Sequence, residues 1–317
     1  MDKRIHLLVV DPQNDFCDLP ASEWPMVQGE TVSPALAVSG GHQDMRRLAS
    51  FIDQMGARLQ DITVTLDSHP YVAIERTTFW ADREGQSVPP FTVISADSVV
   101  AGDFVPLHHA DLVIEQLRAL ERAGRYQLVV WPVHCVTGTW GHNIHAGVAN
   151  ALAQWELQSQ APAQKILKGE YPWSEHYGAF EAEVPLASVP STQFNETLAR
   201  RVTDGVDVLL VAGEASSHCV AASVDQLLGA LSRAPSQAAA KTAEAQSRIE
   251  DAAMNTNDTE CSDVPGVPLN RPQIVLLTDC MSPVGGFEPM AEQFFQRAHA
   301  AGVQRMTAEA ALAAYGL

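Results

Sequence analysis

The sequence has few of the features that mark membrane-spanning or nucleic-acid-binding proteins. No stretch approaches the roughly 20 apolar residues that a membrane-spanning helix needs. Lys and Arg number only 20 against 38 Asp and Glu, and the formal net charge is −18. This acidic balance argues against partners that require a basic surface, such as nucleic acids and anionic membranes.

Cysteines are also few, and their spacing is not that of a paired framework. The five cysteines lie far apart, at positions 17, 135, 219, 261 and 280, with no C-x-x-C pair. The first four residues lead into a short apolar run that lacks the long hydrophobic core of a signal peptide. We therefore predict a cytoplasmic protein with reduced thiols, rather than a disulfide scaffold or a thiolate zinc site.

The remaining composition is that of an ordinary globular protein with a sizeable core. The 317 residues are 46% hydrophobic and 18% charged. Apolar runs alternate with amphipathic segments along the chain. The predicted strands are residues 5–10, 62–66, 127–131, 164–167, 206–211 and 274–277. The predicted helices are residues 44–59, 110–123, 141–157, 195–202, 219–231 and 290–301. Such alternation predicts a three-layer α/β/α sandwich with a mostly parallel central sheet.

Two segments interrupt this alternation. Residues 232–272 are rich in small and polar residues and separate a helix from the next strand, a connection that is usually short. We predict that they form a surface insertion in one domain that spans residues 1–317. Residues 83–109 are predicted to form a long loop that covers the functional site.

Polar residues cluster where the predicted strands end. They are Asp11, Asp67, His134, Lys168 and the stretch from Glu214 to Cys219. Because parallel α/β sheets form their sites beyond the carboxyl ends of the strands, these side chains are expected to share one edge of the sheet.

Cys219 stands at a predicted junction between a strand and a helix. The free N–H groups of a helix N-terminus favour a thiolate and can stabilise an oxyanion. An inert buried cysteine would occupy the same position about equally often. Asp11 is a candidate base, although a carboxylate before Pro12 could simply cap a turn. Lys168 could lower the pKa of the thiol, although a solvated lysine is the more common case.

A second group of residues has the chemistry of a metal site. Asp67 and His69 are two residues apart, so in an extended segment both side chains point to one face. With His134, they offer a carboxylate and two imidazoles, which suit Zn²⁺, Fe²⁺ or Mn²⁺. Glu75 could add a ligand. The pairs His108–His109 and His142–His145 are interpreted as surface residues or supports of the site.

Six segments, in order, resemble the isochorismatase-like cysteine hydrolases and, within them, the nicotinamidases. The segments are LVVDPQNDFC at 8–17, TLDSHP at 65–70, WPVHCVTGT at 131–139, KG at 168–169, YGAF at 177–180 and VAGEASSHCV at 211–220. They span most of the chain before the predicted insertion.

The resemblance implies a role for each matching residue. Asp11 would be the base, Lys168 its charged partner and Cys219 the nucleophile. The backbone N–H groups of Ala215 and Cys219 would form the oxyanion hole, next to a cis peptide bond between Glu214 and Ala215. The implied metal ligands are Asp67, His69 and His134, and the implied pocket aromatics are Phe16, Trp131 and Tyr177.

The metal ligands also narrow the expected reaction. Nicotinamidases use such a site to hold the pyridine nitrogen, so the resemblance implies hydrolysis of nicotinamide to nicotinate and ammonia, a step of pyridine nucleotide salvage. Glu214 stands where family members often carry an apolar residue, and a carboxylate beside the pocket would favour another substrate. A cysteine hydrolase of another small amide or ureido compound therefore stays open, as do a non-catalytic binding protein of this fold and a homo-oligomer.

Overall fold

The structure is a computed structural model that describes residues 3–233 and 269–316. The predicted insertion at 232–272 lies almost entirely outside the described residues. No helix in the described ranges is long and apolar enough to cross a membrane.

Six parallel strands form the central sheet, in the order β12-β11-β10-β1-β4-β9. Their bounds are Ile5–Val10 (β1), Leu59–Asp67 (β4), Gln164–Lys168 (β9), Val208–Gly213 (β10), Gln273–Leu277 (β11) and Gln304–Met306 (β12). Strands β1 and β10 are buried along their whole length, which explains their unbroken apolar sequences.

Helices cover both faces of the sheet. On one face lie α1 (Gly41–Met55), α4 (Ala146–Ser159) and α8 (Ala308–Tyr315), which pack on the inward side chains Ile5, Leu7 and Val9 of β1. On the other face lie α5 (Glu196–Thr203), α6 (Cys219–Ser232) and α7 (Glu288–Ala300), which pack on Leu8 and Val10. The predicted three-layer α/β/α sandwich with a parallel central sheet is confirmed.

The remaining elements form smaller units at the edge of the sandwich. They are β2 (Met26–Val27), β3 (Glu30–Thr31), β5 (Trp80–Asp82), β6 (Val93–Ile94), α2 (Ala96–Val100), β7 (Phe104–Pro106), α3 (Ala110–Ala123) and β8 (Leu128–Val129). Residues 74–130, called the edge unit below, bury an apolar cluster of their own, which includes Phe79, Trp80 and Leu117. The prediction of one long loop at 83–109 is therefore wrong: β6, α2 and β7 lie within it.

The strand predicted at 127–131 exists only in part and does not join the central sheet. Leu128 and Val129 pair antiparallel with Ile94 and Val93. The backbone N–H of Trp131 then donates to the carbonyl of Glu75 at 2.7 Å. Residues 128–131 are buried, and their backbone hydrogen bonds are made with residues 74–130 rather than with the central sheet.

The helix predicted at 141–157 begins later, at Ala146. Residues 141–145 instead accept and donate backbone hydrogen bonds with the segment that follows β1. For example, Asp15 N–H donates to the Gly141 carbonyl at 3.1 Å, and His145 N–H donates to the Pro12 carbonyl at 2.7 Å. A side chain at 141 would collide with the Asp15 carboxylate, because a Cβ there would lie 2.1 Å from Oδ2.

Candidate active site

Four buried polar side chains converge at the carboxyl ends of the strands. Asp11 follows β1, Asp67 and Lys168 end the paired strands β4 and β9, and Cys219 is the first residue of α6 after β10. Lys168 lies at the centre: its Nζ is 2.9 Å from Asp11 Oδ2, 2.8 Å from Asp67 Oδ1 and 3.7 Å from Cys219 Sγ. The structure therefore brings together the three residues that the sequence suggested as base, cation and nucleophile.

The Asp11 carboxylate is held in place by strand β4. Thr65 Oγ1 donates to Asp11 Oδ1 at 2.6 Å, and the backbone N–H of Asp11 donates to the Thr65 carbonyl at 3.1 Å. Asp11 itself has a φ of 47°, so the chain turns sharply after β1. The remaining oxygen, Oδ2, faces Lys168.

The charges in this cluster follow from burial and from Lys168. Burial raises the pKa of Cys219, and although Lys168 opposes the shift, the pKa stays well above its ordinary value, so the resting group is a thiol. Burial also raises the pKa of Asp11, against the opposing effect of Lys168. Burial would lower the pKa of Lys168, but Asp11, Asp67 and Cys219 outweigh it and hold the amine protonated.

The backbone around Cys219 offers two buried N–H groups. The peptide bond between Glu214 and Ala215 is cis. Among the described residues, neither the Ala215 nor the Cys219 backbone N–H has a hydrogen-bond acceptor. Both residues line the pocket. Since Cys219 begins α6, its N–H also lies at the positive end of the helix dipole, and the two groups can stabilise a developing oxyanion.

Asp67, His69 and His134 form the one metal-ligand cluster found in the described part of the chain. One donor atom of each lies within 4.8 Å of the others, and all three residues are buried. Asp67 Oδ2 is 2.8 Å from His69 Nε2 and 3.4 Å from His134 Nε2. Burial first, and then Arg76, lower the pKa of His134 to about 3, so this imidazole is neutral and can act as a ligand. A divalent ion fits this donor set.

Neighbouring groups orient the two imidazoles. Glu75 Oε1 lies 3.2 Å from His69 Nδ1, and so it supports the ring from behind. His134 Nδ1 lies between two partners, 2.6 Å from Arg76 Nη1, which can only donate, and 2.8 Å from the Pro132 carbonyl, which can only accept. Glu75 therefore acts on His69 in this structure, and the cluster found here does not include it as a ligand.

Asp67 connects the metal cluster to the nucleophile. Its Oδ1 accepts from Lys168 while Oδ2 faces the two histidines. Gln13 holds the backbone of Asp67 on both sides: its Nε2 donates to the Asp67 carbonyl at 2.8 Å, and its Oε1 accepts from the Asp67 N–H at 2.7 Å. Gln13 thus fixes the residue on which both halves of the site depend.

These residues surround a pocket whose empty space, including its open mouth, is about 410 Å³. Fourteen residues line it: Phe16, Leu36, Asp67, His69, Glu75, Trp131, His134, Glu175, His176, Tyr177, Ala215, His218, Cys219 and Val284. Its walls contain the three predicted aromatics, and Trp131 Nε1 donates to the Tyr177 hydroxyl at 3.0 Å. Mostly apolar walls with a few convergent polar groups suit a small, flat ligand.

Sequence reasoning missed several lining residues. Glu175 and His176 precede Tyr177, and each has a buried side-chain atom, Oε2 and Nε2, that lacks a hydrogen-bond partner among the described residues. His218 precedes Cys219 and packs on Trp131 and Tyr177 with ring centroids 5.1 Å from each. All three lie next to residues of the recognised motifs, and that adjacency was the available signal.

The expectation that Glu214 would stand beside the pocket is wrong. Glu214 is fully buried but does not line the pocket. Its Oε2 accepts from the Ser282 backbone N–H at 3.1 Å, on the far side of the loop that carries Cys219. Its charge therefore cannot select the substrate by direct contact.

The paired histidines lie outside the pocket. His142 Nε2 is 2.8 Å from the hydroxyl of Ser68, between Asp67 and His69, so it supports the site. His145 caps α4, and its Nε2 lies 3.0 Å from His42 Nδ1. His108 and His109 lie on the exposed edge unit.

Known nicotinamidases are similar to this chain in sequence and in fold. No family model matches the chain. The nicotinamidase of Saccharomyces cerevisiae is 24% identical over 218 residues, which are 68% of this chain and 77% of the yeast protein. A solved nicotinamidase/pyrazinamidase of Acinetobacter baumanii superposes with a TM-score of 0.55 at 18% identity, covering 98% of this chain and 99% of that one.

The chain shares the fold of solved nicotinamidases. The solved yeast nicotinamidase bound to the inhibitor nicotinaldehyde also superposes with a TM-score of 0.55, at 17% identity, covering 96% of this chain and 99% of that one. The resemblance to isochorismatase-like hydrolases and nicotinamidases drawn from the six motifs is confirmed. The roles of individual residues and the substrate stay proposals.

Proposed function

We propose that this isochorismatase-like protein is a cysteine amidohydrolase that converts nicotinamide to nicotinate and ammonia. One observation carries the proposal: Lys168 Nζ contacts Asp11, Asp67 and Cys219 at the base of a single buried pocket. The yeast and Acinetobacter relatives, which are nicotinamidases, support the same reaction class.

The first half of the reaction forms a thioester. Asp11 takes the proton of the Cys219 thiol, and the protonated Lys168 stabilises the thiolate. The sulfur attacks the carboxamide carbon, and the N–H groups of Ala215 and Cys219 hold the resulting oxyanion. When the C–N bond breaks, the protonated Asp11 returns its proton to the leaving nitrogen, so ammonia departs.

The second half hydrolyses the thioester. Asp11, ionised again, accepts a proton from a water molecule that attacks the acyl carbon. The C–S bond breaks, the sulfur regains a proton through Asp11, and nicotinate is released. A divalent ion held by Asp67, His69 and His134 would offer a coordination position to the ring nitrogen and so fix the orientation of the substrate.

Two atoms in the pocket favour a variant of this substrate as the second candidate. Glu175 Oε2 and His176 Nε2 are buried and unpartnered among the described residues. Leaving buried polar groups unpaired is costly, so a ligand that satisfies them is favoured. A carboxamide whose ring carries a further nitrogen, such as pyrazinamide, offers an acceptor to whichever of these two atoms carries a proton.

An ammonia-release assay on a panel of amides tests the function. The panel contains nicotinamide, pyrazinamide, benzamide and an aliphatic amide. The proposal predicts that nicotinamide or pyrazinamide exceeds benzamide in kcat/KM by at least about tenfold, because benzamide lacks a ring nitrogen. Equal rates for benzamide and nicotinamide would leave a cysteine hydrolase without pyridine specificity, and no ammonia from any amide would favour a binding protein.

Loss of a histidine ligand is expected to remove the metal. Wild-type protein dialysed against Zn²⁺ and then against buffer should keep about one ion per chain, whereas His69→Ala and His134→Ala should keep well under half of that. Elemental analysis of the protein gives the ratio. His109→Ala, an exposed histidine, is the matched control and should bind as wild type does. Full retention of the ion in both ligand variants would contradict the assignment.

The pH dependence of kcat/KM should show an acid limb that belongs to Asp11. The base must be ionised, and burial raises its pKa above the ordinary carboxyl value. Activity should therefore fall, by about tenfold per pH unit, as the pH drops below this raised pKa. The pKa of Lys168 is raised, so the amine should not titrate at neutral pH. A rate that increases toward acid pH would be inconsistent with Asp11 as the base.

A further inference from the structure

Behind the pocket, a set of contacts holds the nucleophile loop, residues 213–218. Residues 280–284, which follow β11, bind this loop at several points. The Gly213 N–H donates to the Cys280 carbonyl at 2.9 Å, and the Ser216 N–H donates to the Ser282 carbonyl at 3.0 Å. The Val284 N–H donates to Ser217 Oγ at 3.1 Å. The loop that presents Ala215 and Cys219 is thus attached along its length.

The Glu214 side chain connects the nucleophile loop to residues 280–284 and to helix α1. Its Oε2 accepts from the Ser282 N–H at 3.1 Å, and its carboxyl group lies next to that of Asp44 in α1. The Ser282 hydroxyl also donates to Asp44 Oδ2, at 2.5 Å. Three segments that are distant in sequence therefore meet at Glu214, one residue before the N–H of Ala215.

Both carboxyl groups accept hydrogen bonds from Ser282, and such close placement of two buried acids favours a proton on one of them. Glu214 Oε1 is buried and finds no donor among the described residues, and two ionised carboxylates side by side would repel each other. Asp44 is paired with Arg47 and accepts from the Ser282 hydroxyl. A proton on Glu214 turns the repulsion into a hydrogen bond, in agreement with a pKa of Glu214 that burial and then Asp44 raise well above its ordinary value.

Among the described residues, the other groups that act on Glu214 are acids and thiols. Besides Asp44 and Arg47 of α1, the charged or titratable groups near Glu214 are Asp18 and two buried thiols, Cys17 and Cys280. Asp18 is another acid, and the pKa of each thiol is raised by burial. Gly41 lets the start of α1 approach closely, since a Cβ there would lie 2.8 Å from the Phe16 carbonyl and 3.4 Å from Glu214 Oε1.

We propose that Glu214 is a positioning residue of this enzyme, which holds the nucleophile loop through Asp44 and Ser282 so that the N–H groups of Ala215 and Cys219 keep the geometry that the oxyanion needs. The inference rests on the proposed function of Cys219 as nucleophile. Glu214 touches no substrate and acts through the loop. The Glu214 carboxyl group thus affects the reaction without lining the pocket.

Two substitutions at 214 separate this role from simple filling of space. Glu214→Gln keeps an acceptor for Ser282 and a donor for Asp44, whereas Glu214→Leu removes both. We expect Glu214→Leu to lower kcat by about tenfold or more with KM changed less than about threefold, because the oxyanion contact matters most in the transition state. Glu214→Gln should stay within about threefold of wild type.

The rate is expressed per reactive Cys219, counted by mass spectrometry of the alkylated Cys219 peptide, so that misfolded protein does not enter the comparison. Thr203→Val removes another fully buried polar group, the α5 hydroxyl that donates to the Ala199 carbonyl outside the pocket, and is the matched control. It should lower the melting temperature while keeping the rate per site. A wild-type rate per site in Glu214→Leu, or equal damage in Glu214→Gln and Glu214→Leu, would overturn the proposal.

The pH profile gives a second readout. Ionisation of Glu214 at high pH removes the donor to Asp44 in wild type, whereas glutamine cannot ionise. A raised folded-state pKa contributes stability at low pH that is lost as the pH rises through that pKa. The ratio of Glu214→Gln to wild-type kcat should therefore increase toward alkaline pH. A flat or falling ratio contradicts the shared proton.

Alkylation of Cys219 distinguishes a failure of the proposed amidase function from a failure of the role proposed for Glu214. Should wild type hydrolyse no amide, the rate of Cys219 alkylation by iodoacetamide still tests the role of Glu214, because it needs no substrate. Slower or faster alkylation in Glu214→Leu with a wild-type rate in Glu214→Gln would support positioning. The same rate in all three proteins would reject it.

Discussion

Replacing Cys219 with alanine is expected to abolish ammonia release from nicotinamide, with kcat lower by roughly four orders of magnitude or more. The alanine variant has no sulfur to form the thioester, and neither Asp11 nor Lys168 can replace it as a nucleophile. The fold should persist, because alanine keeps the backbone and Cβ of this residue and removes only a sulfur atom at the wall of the pocket. A coupled assay of ammonia, with circular dichroism of the same sample, measures both.

Cys280→Ala is the matched control for this variant. Cys280 is also buried, but it does not line the pocket, and its backbone carbonyl, which binds Gly213, is unchanged by the substitution. Activity should stay within about threefold of wild type. If Cys219→Ala retained more than a few per cent of wild-type turnover, another group would be the nucleophile.

Asp11→Asn is expected to lower kcat by roughly 10³-fold, the usual size of a general acid–base contribution. The amide has nearly the shape of the carboxylate and can still meet Thr65, but it cannot take the thiol proton. The same substitution should make the Cys219 thiol more reactive, although it lowers turnover. Asp11 raises the pKa of Cys219 and Lys168 lowers it, so removing the negative charge should increase the thiolate fraction.

The two readouts of Asp11→Asn therefore diverge. Turnover of nicotinamide should fall, while alkylation of Cys219 by iodoacetamide at neutral pH should become faster than in wild type. Site-resolved mass spectrometry of the Cys219 peptide measures the alkylation rate. A parallel loss of both rates would point to a distorted site rather than to a missing base, and unchanged turnover would remove Asp11 from the mechanism.

The sequence predicted the inner strands of the central sheet because these strands are buried on both faces. Continuous apolar runs such as Ile5–Val10 and the segment ending at Gly213 can be recognised without knowledge of their neighbours. Apart from β8, which was predicted in part, the strands of the edge unit were not predicted, because they lack such continuous buried runs. Its strands β6 and β8 are two residues long, and each pairs with a segment that is distant in sequence. Such short strands show no alternation of apolar and polar residues by which the sequence could identify them.

The start of α4 shows the same limit at a smaller scale. Residues 141–145 have a helical pattern, yet their backbone groups bond to Pro12, Asn14 and Asp15. Tertiary hydrogen bonds thus override a local preference. The short strand β12 and helix α8 at the end of the chain were not predicted at all, since β12 has mostly exposed residues.

The site was easier to predict than its surroundings. Asp11, Lys168 and Cys219 end or follow parallel strands, and topology alone brings such positions to one edge. The side-chain direction of Glu214 could not be predicted, because it depends on Gly213, whose φ is 121° and whose Cβ would lie 1.9 Å from the Val10 carbonyl. The unpartnered atoms of Glu175 and His176 likewise emerge only in three dimensions.

Acid-quenched mass spectrometry during turnover of nicotinamide tests the central claim most directly. The account predicts a transient adduct in which one nicotinoyl group replaces the thiol hydrogen of Cys219, and its rate of decay should match turnover. Ammonia release that continues with no adduct on Cys219, or an adduct on another residue, would contradict it.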